Sequence, residues 1–161
     1  ILIYINRPDE ALELAERSVV LNPDNFLAKQ MLGYVAYLKG DYQKALDIFK
    51  ANHKIVGDHP YVLLSLILVY QKAGMEEKAR AIQQQFMTMH RQHPEAGLET
   101  IMAYVHVVFN ELEAFYRIFD KAVKEKNTWV IQMYGDSFNS GLRNDAHVKA
   151  ARKLAGLPVW D

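Results

Sequence analysis

Side-chain chemistry needs particular residue types held at particular spacings, and this sequence offers few such sets. Six histidines occur: His53, His59, His90, His93, His106 and His147. His90 and His93 stand at i, i+3 near a predicted helix end, a spacing that brings two imidazoles to one face and could hold a metal ion. The nearest further ligands in sequence are Glu95 and Glu99, and a metal site needs more converging groups than these. The plainer reading is a hydrated helix C-terminus, where positive charge is favourable. Ser18, Ser65, Ser137 and Ser140 are the available serines, and none lies in a nucleophile-elbow context. Gly135-Asp136 and Gly141 are not spaced like a phosphate-binding loop. The absence of cysteine excludes a thiol nucleophile, a disulfide scaffold and a thiolate-held zinc. Carboxylates are scattered along helix faces, mostly beside basic residues, as Glu13 is with Arg17. The expectation is a chain with no catalysis, no metal and no cofactor.

The composition agrees. The 161 residues carry 19 Lys and Arg against 19 Asp and Glu, and half are apolar, so neither a disordered tail nor a basic nucleic-acid grip is expected. Lys121, Lys124 and Lys126 alternate with acids, and Lys149, Arg152 and Lys153 make only a weak patch, so direct nucleic-acid binding is not expected. Ile1–Ile5 is too short for a signal-peptide core, and the apolar run from Tyr61 to Tyr70 is too short for a bilayer, so no membrane segment is expected. Lack of cysteine leaves the compartment open, with the cytoplasm favoured over the periplasm.

The elements that would position any site show themselves as a repeat. Ala11, Ala45 and Ala79 are each 34 residues apart, as are Asn6, Gly40 and Gly74, and Leu14, Ile48 and Ile82. Gly and Asn best tolerate a left-handed helix stop. Pro60 and Pro94 keep the same step, with Pro23 at the corresponding break before them. Leu32, Val35 and Ala36, like Ala45, Ile48 and Phe49, have the i, i+3, i+4 spacing of a helix face. Each unit therefore reads as helix, tight turn, helix, then a loop near Pro, with Gly33 allowing close backbone approach inside one pair.

These residues resemble the tetratricopeptide repeat, which has this period, a Leu-Gly pair in its first helix, a Gly turn, a small residue early in its second helix and a Pro near the end. Leu32-Gly33, Gly40-Asp41-Tyr42, Ala45 and Phe49 carry the likeness, followed by Tyr70, Gly74 and Ala79, where Ile67 replaces the small residue. A degenerate unit follows, with Met102-Ala103, Asn110 at the turn, Phe115 in place of Ala, then Phe119 and Ala122. Its turn lies 36 residues after Gly74, which places a two-residue insertion near Pro94. The resemblance implies an all-α, right-handed superhelical solenoid over residues 1–126, with a truncated first repeat at 1–25 and repeats at 26–59, 60–95 and 96–126. Because Ile1 falls inside a helix of the repeat, the chain is expected to be a piece of a longer protein.

Residues 127–161 lose the period and are expected to cap the array. Trp129–Tyr134 reads as a short helix and Gly135–Asn144 as a loop. Asp145 would N-cap a last helix, Ala146–Ala155, stopped by Gly156 and Pro158. On it Val148, Ala151, Leu154 and Ala155 would face inward, and Lys149, Arg152 and Lys153 outward. Trp129, Phe138, Leu142-Arg143-Asn144-Asp145 and Leu154-Ala155-Gly156-Leu157-Pro158 are similar to the endings of tetratricopeptide tails on bacterial transcriptional regulators and adenylate-cyclase-like signalling proteins. Ala146 and Val148 depart from the Pro and Phe of that pattern, and Ala155 is an insertion.

In such arrays the first helices line a concave groove. The matching positions are Leu27, Gln30, Tyr34, Tyr37 and Leu38; Tyr61, Leu64, Leu68, Gln71 and Lys72; and Thr100, Tyr104, Val107 and Val108. Gln30, Tyr34, Leu64 and Leu68 stand where a subset of the family clamps a chaperone's C-terminal carboxylate with Lys, Asn and Arg, so that clamp is not expected. An apolar groove with tyrosines suits an amphipathic helix, an extended peptide or the chain's own last helix, although the tyrosines could equally pack on neighbours. The expected function is non-catalytic protein–protein interaction, as the regulatory or scaffolding part of a larger bacterial protein. The partner would be a protein or peptide, or a second copy of the chain controlling a linked effector domain; a small-ligand sensor is the other alternative.

Overall fold

The computed structural model describes residues 8–93, 97–127, 142 and 144–156. The expected helical start at 1–5, the loop at Pro94, the helix from Trp129 to Tyr134, most of the following loop and the stop at Pro158 lie outside these residues. Among the described residues the protein is all-α: α1 Pro8–Leu21, α2 Phe26–Leu38, α3 Tyr42–Val56, α4 Pro60–Lys72, α5 Glu76–Gln92, α6 Glu99–Val108, α7 Leu112–Lys124 and α8 Ala146–Leu154. The chain forms two compact units, Ile1–Leu98 and Glu99–Asp161. In the first, each of α1 to α4 packs on the next, and α2 also touches α4. In the second, α6 packs on α7 and α7 on α8.

One turn recurs. After α2, Gly40 takes φ 81°, its N–H bonds the Tyr37 carbonyl at 3.1 Å, and the Asp41 N–H reaches the Ala36 carbonyl at 2.9 Å. This pair of bonds is the Schellman helix stop. After α4, Gly74 at φ 71° repeats it, with Met75 N–H on Tyr70 at 2.9 Å. After α6, Asn110 at φ 56° does so again, with Glu111 N–H on His106 at 2.8 Å. The sequence marks all three for a left-handed stop; the fourth position it marks, Asn6, lies outside the described residues. Side chains then start the following helix in some cases. Asp41 accepts from the Lys44 N–H at 3.1 Å, and Asn25 from Leu27 and Ala28 at 3.0 and 3.3 Å. Pro60 opens α4 at a position where no N–H is needed.

The core follows the repeated positions. Ala11, Ala45 and Ala79 are buried, as are Phe49, Phe86, Phe115 and Phe119. Burying each such Phe contributes about 2–3 kcal/mol. Gly33 lies under the Phe49 ring so closely that a Cβ there would overlap it, which is the close approach expected within that helix pair. α4 is buried on nearly every side, from Val62 through Ile67 and again at Val69 and Tyr70.

Four expectations are corrected. Arg152 is 5% exposed and Leu154 is 87% exposed, the reverse of the inward and outward assignment, and Ala155 is exposed too. At 100° per residue, Val148, Ala151 and Arg152 share one face of α8, while Leu154 turns about a third of a circle away. At 5% exposure the Arg152 guanidinium is buried along with its stem. Glu13 and Arg17 are exposed, and among the described residues no ion pair joins them, as is common for weak solvent-screened i, i+4 pairs. An ion pair at the start of α1 joins Asp9 to Lys39 at 2.7 Å.

Candidate functional site

In the first unit, α2 and α4 carry the expected groove positions, and the structure divides them into an outer set and a buried set. Leu27 and Tyr61, 34 residues apart, are each 51% exposed at the starts of their helices. Tyr34, Tyr37, Leu68 and Gln71 are half-buried along the same faces, and Leu38 and Lys72 are exposed at the ends. Leu64 and Gln30 are buried between them. The result is a row of apolar and aromatic side chains partly open to solvent.

Gln30 is a connector rather than a free surface group. Its side-chain Nε2 donates to the Tyr61 carbonyl at 3.2 Å and to Ser65 Oγ. Its Oε1 accepts from Asn52 Nδ2 at 2.9 Å, and Asn52 also donates to the Phe26 carbonyl at 3.1 Å. Ser65 Oγ lies 2.7 Å from both the Tyr61 carbonyl and the Tyr34 hydroxyl. A hydroxyl has one proton, so Ser65 donates to the carbonyl, which can only accept, and the Tyr34 hydroxyl supplies the proton of the other bond. One amide thus ties α2, α3 and α4 together directly beneath the open row. Asn52 Oδ1 is buried without a hydrogen-bond partner.

The aromatic rings are positioned by neighbours. Tyr34 meets Phe49 edge-on, with centroids 5.4 Å apart at 65°. Tyr61 stacks on His59 at 5.9 Å and 27°, and His59 also contacts Phe26 at 5.0 Å. Burial, with a smaller contribution from the neighbouring Tyr42, pushes the Tyr37 hydroxyl up to about 12. The neutral phenol is thereby favoured further into the alkaline range. Tyr37 and Tyr42 rings lie 5.7 Å apart.

The expected positions in α6 belong to the second unit. Tyr104 is buried, while Thr100, Val107 and Val108 are half-buried. In that unit α8 is anchored on α7 through the Tyr116 hydroxyl, which donates to Asp145 at 2.6 Å, and through His147, 2.7 Å from Asp120. The His147 ring also stacks on Tyr116 at 4.2 Å and 15°. The bond to Asp145 is the main reason the Tyr116 hydroxyl is pushed up to about 12. Asp145 caps α8 as the sequence suggests, accepting from the Val148 N–H at 2.9 Å.

Some of the groups that could do chemistry are paired, whereas His59 Nδ1 and His90 Nδ1 are buried without a hydrogen-bond partner. His53 pairs with Asp58 at 2.8 Å and His106 with Glu111 at 2.8 Å. Ser65 is committed to the amide network. His90 lies in α5 and His93 caps its end, and among the described residues no three His, Asp or Glu side chains are placed to hold a metal. Among those residues, no helix is long and apolar enough to cross a membrane.

Sequence reasoning missed Asn52. The signal was present: Asn52 continues the stripe of Ala45 and Phe49 on α3, so a polar side chain there had to be buried with a partner. Set against family models, curated proteins and solved structures, the chain matches none of them.

Proposed function

We propose that this chain is a tetratricopeptide-type interaction module, part of a larger bacterial regulatory protein, which binds a peptide or helix without catalysing a reaction. The reading rests first on the three equivalent turns at Gly40, Gly74 and Asn110, and on the packing of Phe49 over Gly33. The observation that carries the function is the half-open row on α2 and α4, with Leu27 and Tyr61 at its entrance. Beneath that row the Gln30 amide fixes the spacing of the two helices. A face fixed in advance loses little conformational freedom on binding. Few charges line it, so the ligand is an extended or helical segment offering apolar and aromatic side chains.

The test is selection of binders from a displayed peptide library, followed by calorimetry with the best peptide. Tyr61→Ala and Leu27→Ala should each weaken binding about tenfold, a loss of about 1.4 kcal/mol, with the helical circular dichroism unchanged. Binding that survives both substitutions would remove this face from consideration.

A further inference from the structure

We infer that the cleft between α7 and α8 binds a small apolar α-amino acid, held by its ammonium and its carboxylate together. The cleft is open and measures about 340 Å³, a size that suits a small molecule. Val123 of α7 and Ala150, Ala151 and Leu154 of α8 give it an apolar lining, against which a hydrocarbon group leaves water favourably. The other described lining residues are Asp120, Lys124 and His147. Asp120 and Lys124 stand i, i+4 on α7, about 6 Å apart along its axis. That spacing can support an ion pair, yet among the described residues none joins them. Asp120 Oδ1 is instead 2.7 Å from His147 Nε2, and the His147 ring lies flat on Tyr116. Among the described residues, Asp120 Oδ2 and the Lys124 ammonium make no hydrogen bond or ion pair.

The cleft thus offers one anionic and one cationic point beside an apolar surface. A ligand with a single charge is attracted by one of these points and repelled by the other. An α-amino acid carries both charges on one carbon. Its ammonium meets Asp120 and its carboxylate meets Lys124, while its side chain lies on Val123, Ala150, Ala151 and Leu154. The polar edge of His147 is already spent on Asp120, which also holds that carboxylate in place. Lys149, Lys153 and the Lys121–Glu125 pair, 3.9 Å apart, are not among the lining residues. A branched aliphatic side chain such as leucine's covers the apolar lining without needing a polar partner, whereas glycine leaves it wet. This inference does not rest on the peptide-binding reading of α2 and α4.

A nuclear magnetic resonance titration of the 161-residue chain with leucine tests it. The signals of Val123, Ala150, Ala151 and Leu154 should move and saturate at roughly millimolar leucine. Three probes each lack one feature: 4-methylpentanoate the ammonium, 3-methylbutylamine the carboxylate, and glycine the side chain. Each should bind about fivefold more weakly or worse, the scale of one exposed charge pair or a few methylenes. Lys124→Gln should weaken leucine about fivefold, and should strengthen 3-methylbutylamine because its repelling charge is gone. Ala150→Trp, at an exposed position, should fill the cleft and abolish binding while leaving the circular dichroism unchanged. Leucine that moves no signal in the cleft overturns the inference. So does either singly charged probe binding as tightly as leucine, and so does Lys124→Gln binding leucine unchanged.

Discussion

Two junctions of the first unit occupy equivalent places and are built from opposite materials. Where α2, α3 and α4 meet, Gln30 and Asn52 are buried and bonded to each other. Thirty-four residues further on, the same places hold Leu64 and Phe86, both buried. The apolar junction gains from desolvation, which has no direction. The amide junction gains little net energy, because its bonds replace bonds to water, but it accepts only one register: a shift of α4 would leave the Gln30 amide without its carbonyl and hydroxyl. The sequence thus places specificity at α2–α4 and adhesion at α4–α5. The open row of apolar side chains lies over the junction that fixes position.

The largest effect should come from the adhesive side. Phe86→Ala removes a fully buried ring and should cost about 3–5 kcal/mol in urea unfolding. A loss below that of a typical surface substitution would break the contrast. Asn52→Leu should cost about 1–3 kcal/mol, since Gln30 Oε1 and the Phe26 carbonyl lose their donor. The double variant Gln30→Leu/Asn52→Phe, which copies the second junction into the first, should recover most of that stability while broadening the amide spectrum around α4. Gly33→Ala should cost about 1–3 kcal/mol by pushing the Phe49 ring aside, where Ile67 at the equivalent place shows that the second pair leaves room for a large side chain.

The turns serve as a control, because they are the same in both pairs. Gly40→Ala and Gly74→Ala should each cost about 1–2 kcal/mol, and by similar amounts, since both hold a left-handed backbone with open space around the Cα. A further effect appears only in alkali. Tyr37 is raised from 10.0 to about 12, so its protonated form is favoured by the fold. The resulting stability is complete below pH 10 and is lost as pH rises through about 12. Tyr37→Phe should remove this part of the alkaline loss, whereas Gln71 at the equivalent place does not titrate.

Much of this was legible in the sequence, and the legible part is local. A left-handed stop needs Gly or Asn at one position, so Gly40, Gly74 and Asn110 mark their turns directly. The small Ala45 and Ala79 and a close approach at Gly33 were equally visible, because they act within one helical pair; that the Phe49 ring makes this approach was not. The division of the groove row was not. Gln30 looks like a surface residue until Asn52 and Ser65 arrive from 22 and 35 residues away. Arg152 misleads for a related reason: its charge suggests solvent, while its angle on α8 places it with Val148 and Ala151.

The recurring turn also governs how the chain finds its fold. Each such stop reverses direction within about three residues and delivers the next helix against the last, so α2 with α3, and α4 with α5, can pair while the rest is still unfolded. Loop closure then costs little entropy, and proteins dominated by short-range contacts fold in microseconds to milliseconds. The step that must wait is the one bridged by Gln30, because Tyr61 and Ser65 lie beyond a completed hairpin. Assembly should therefore be fast within pairs, with the rate of native arrival set by the docking of α4 onto α2.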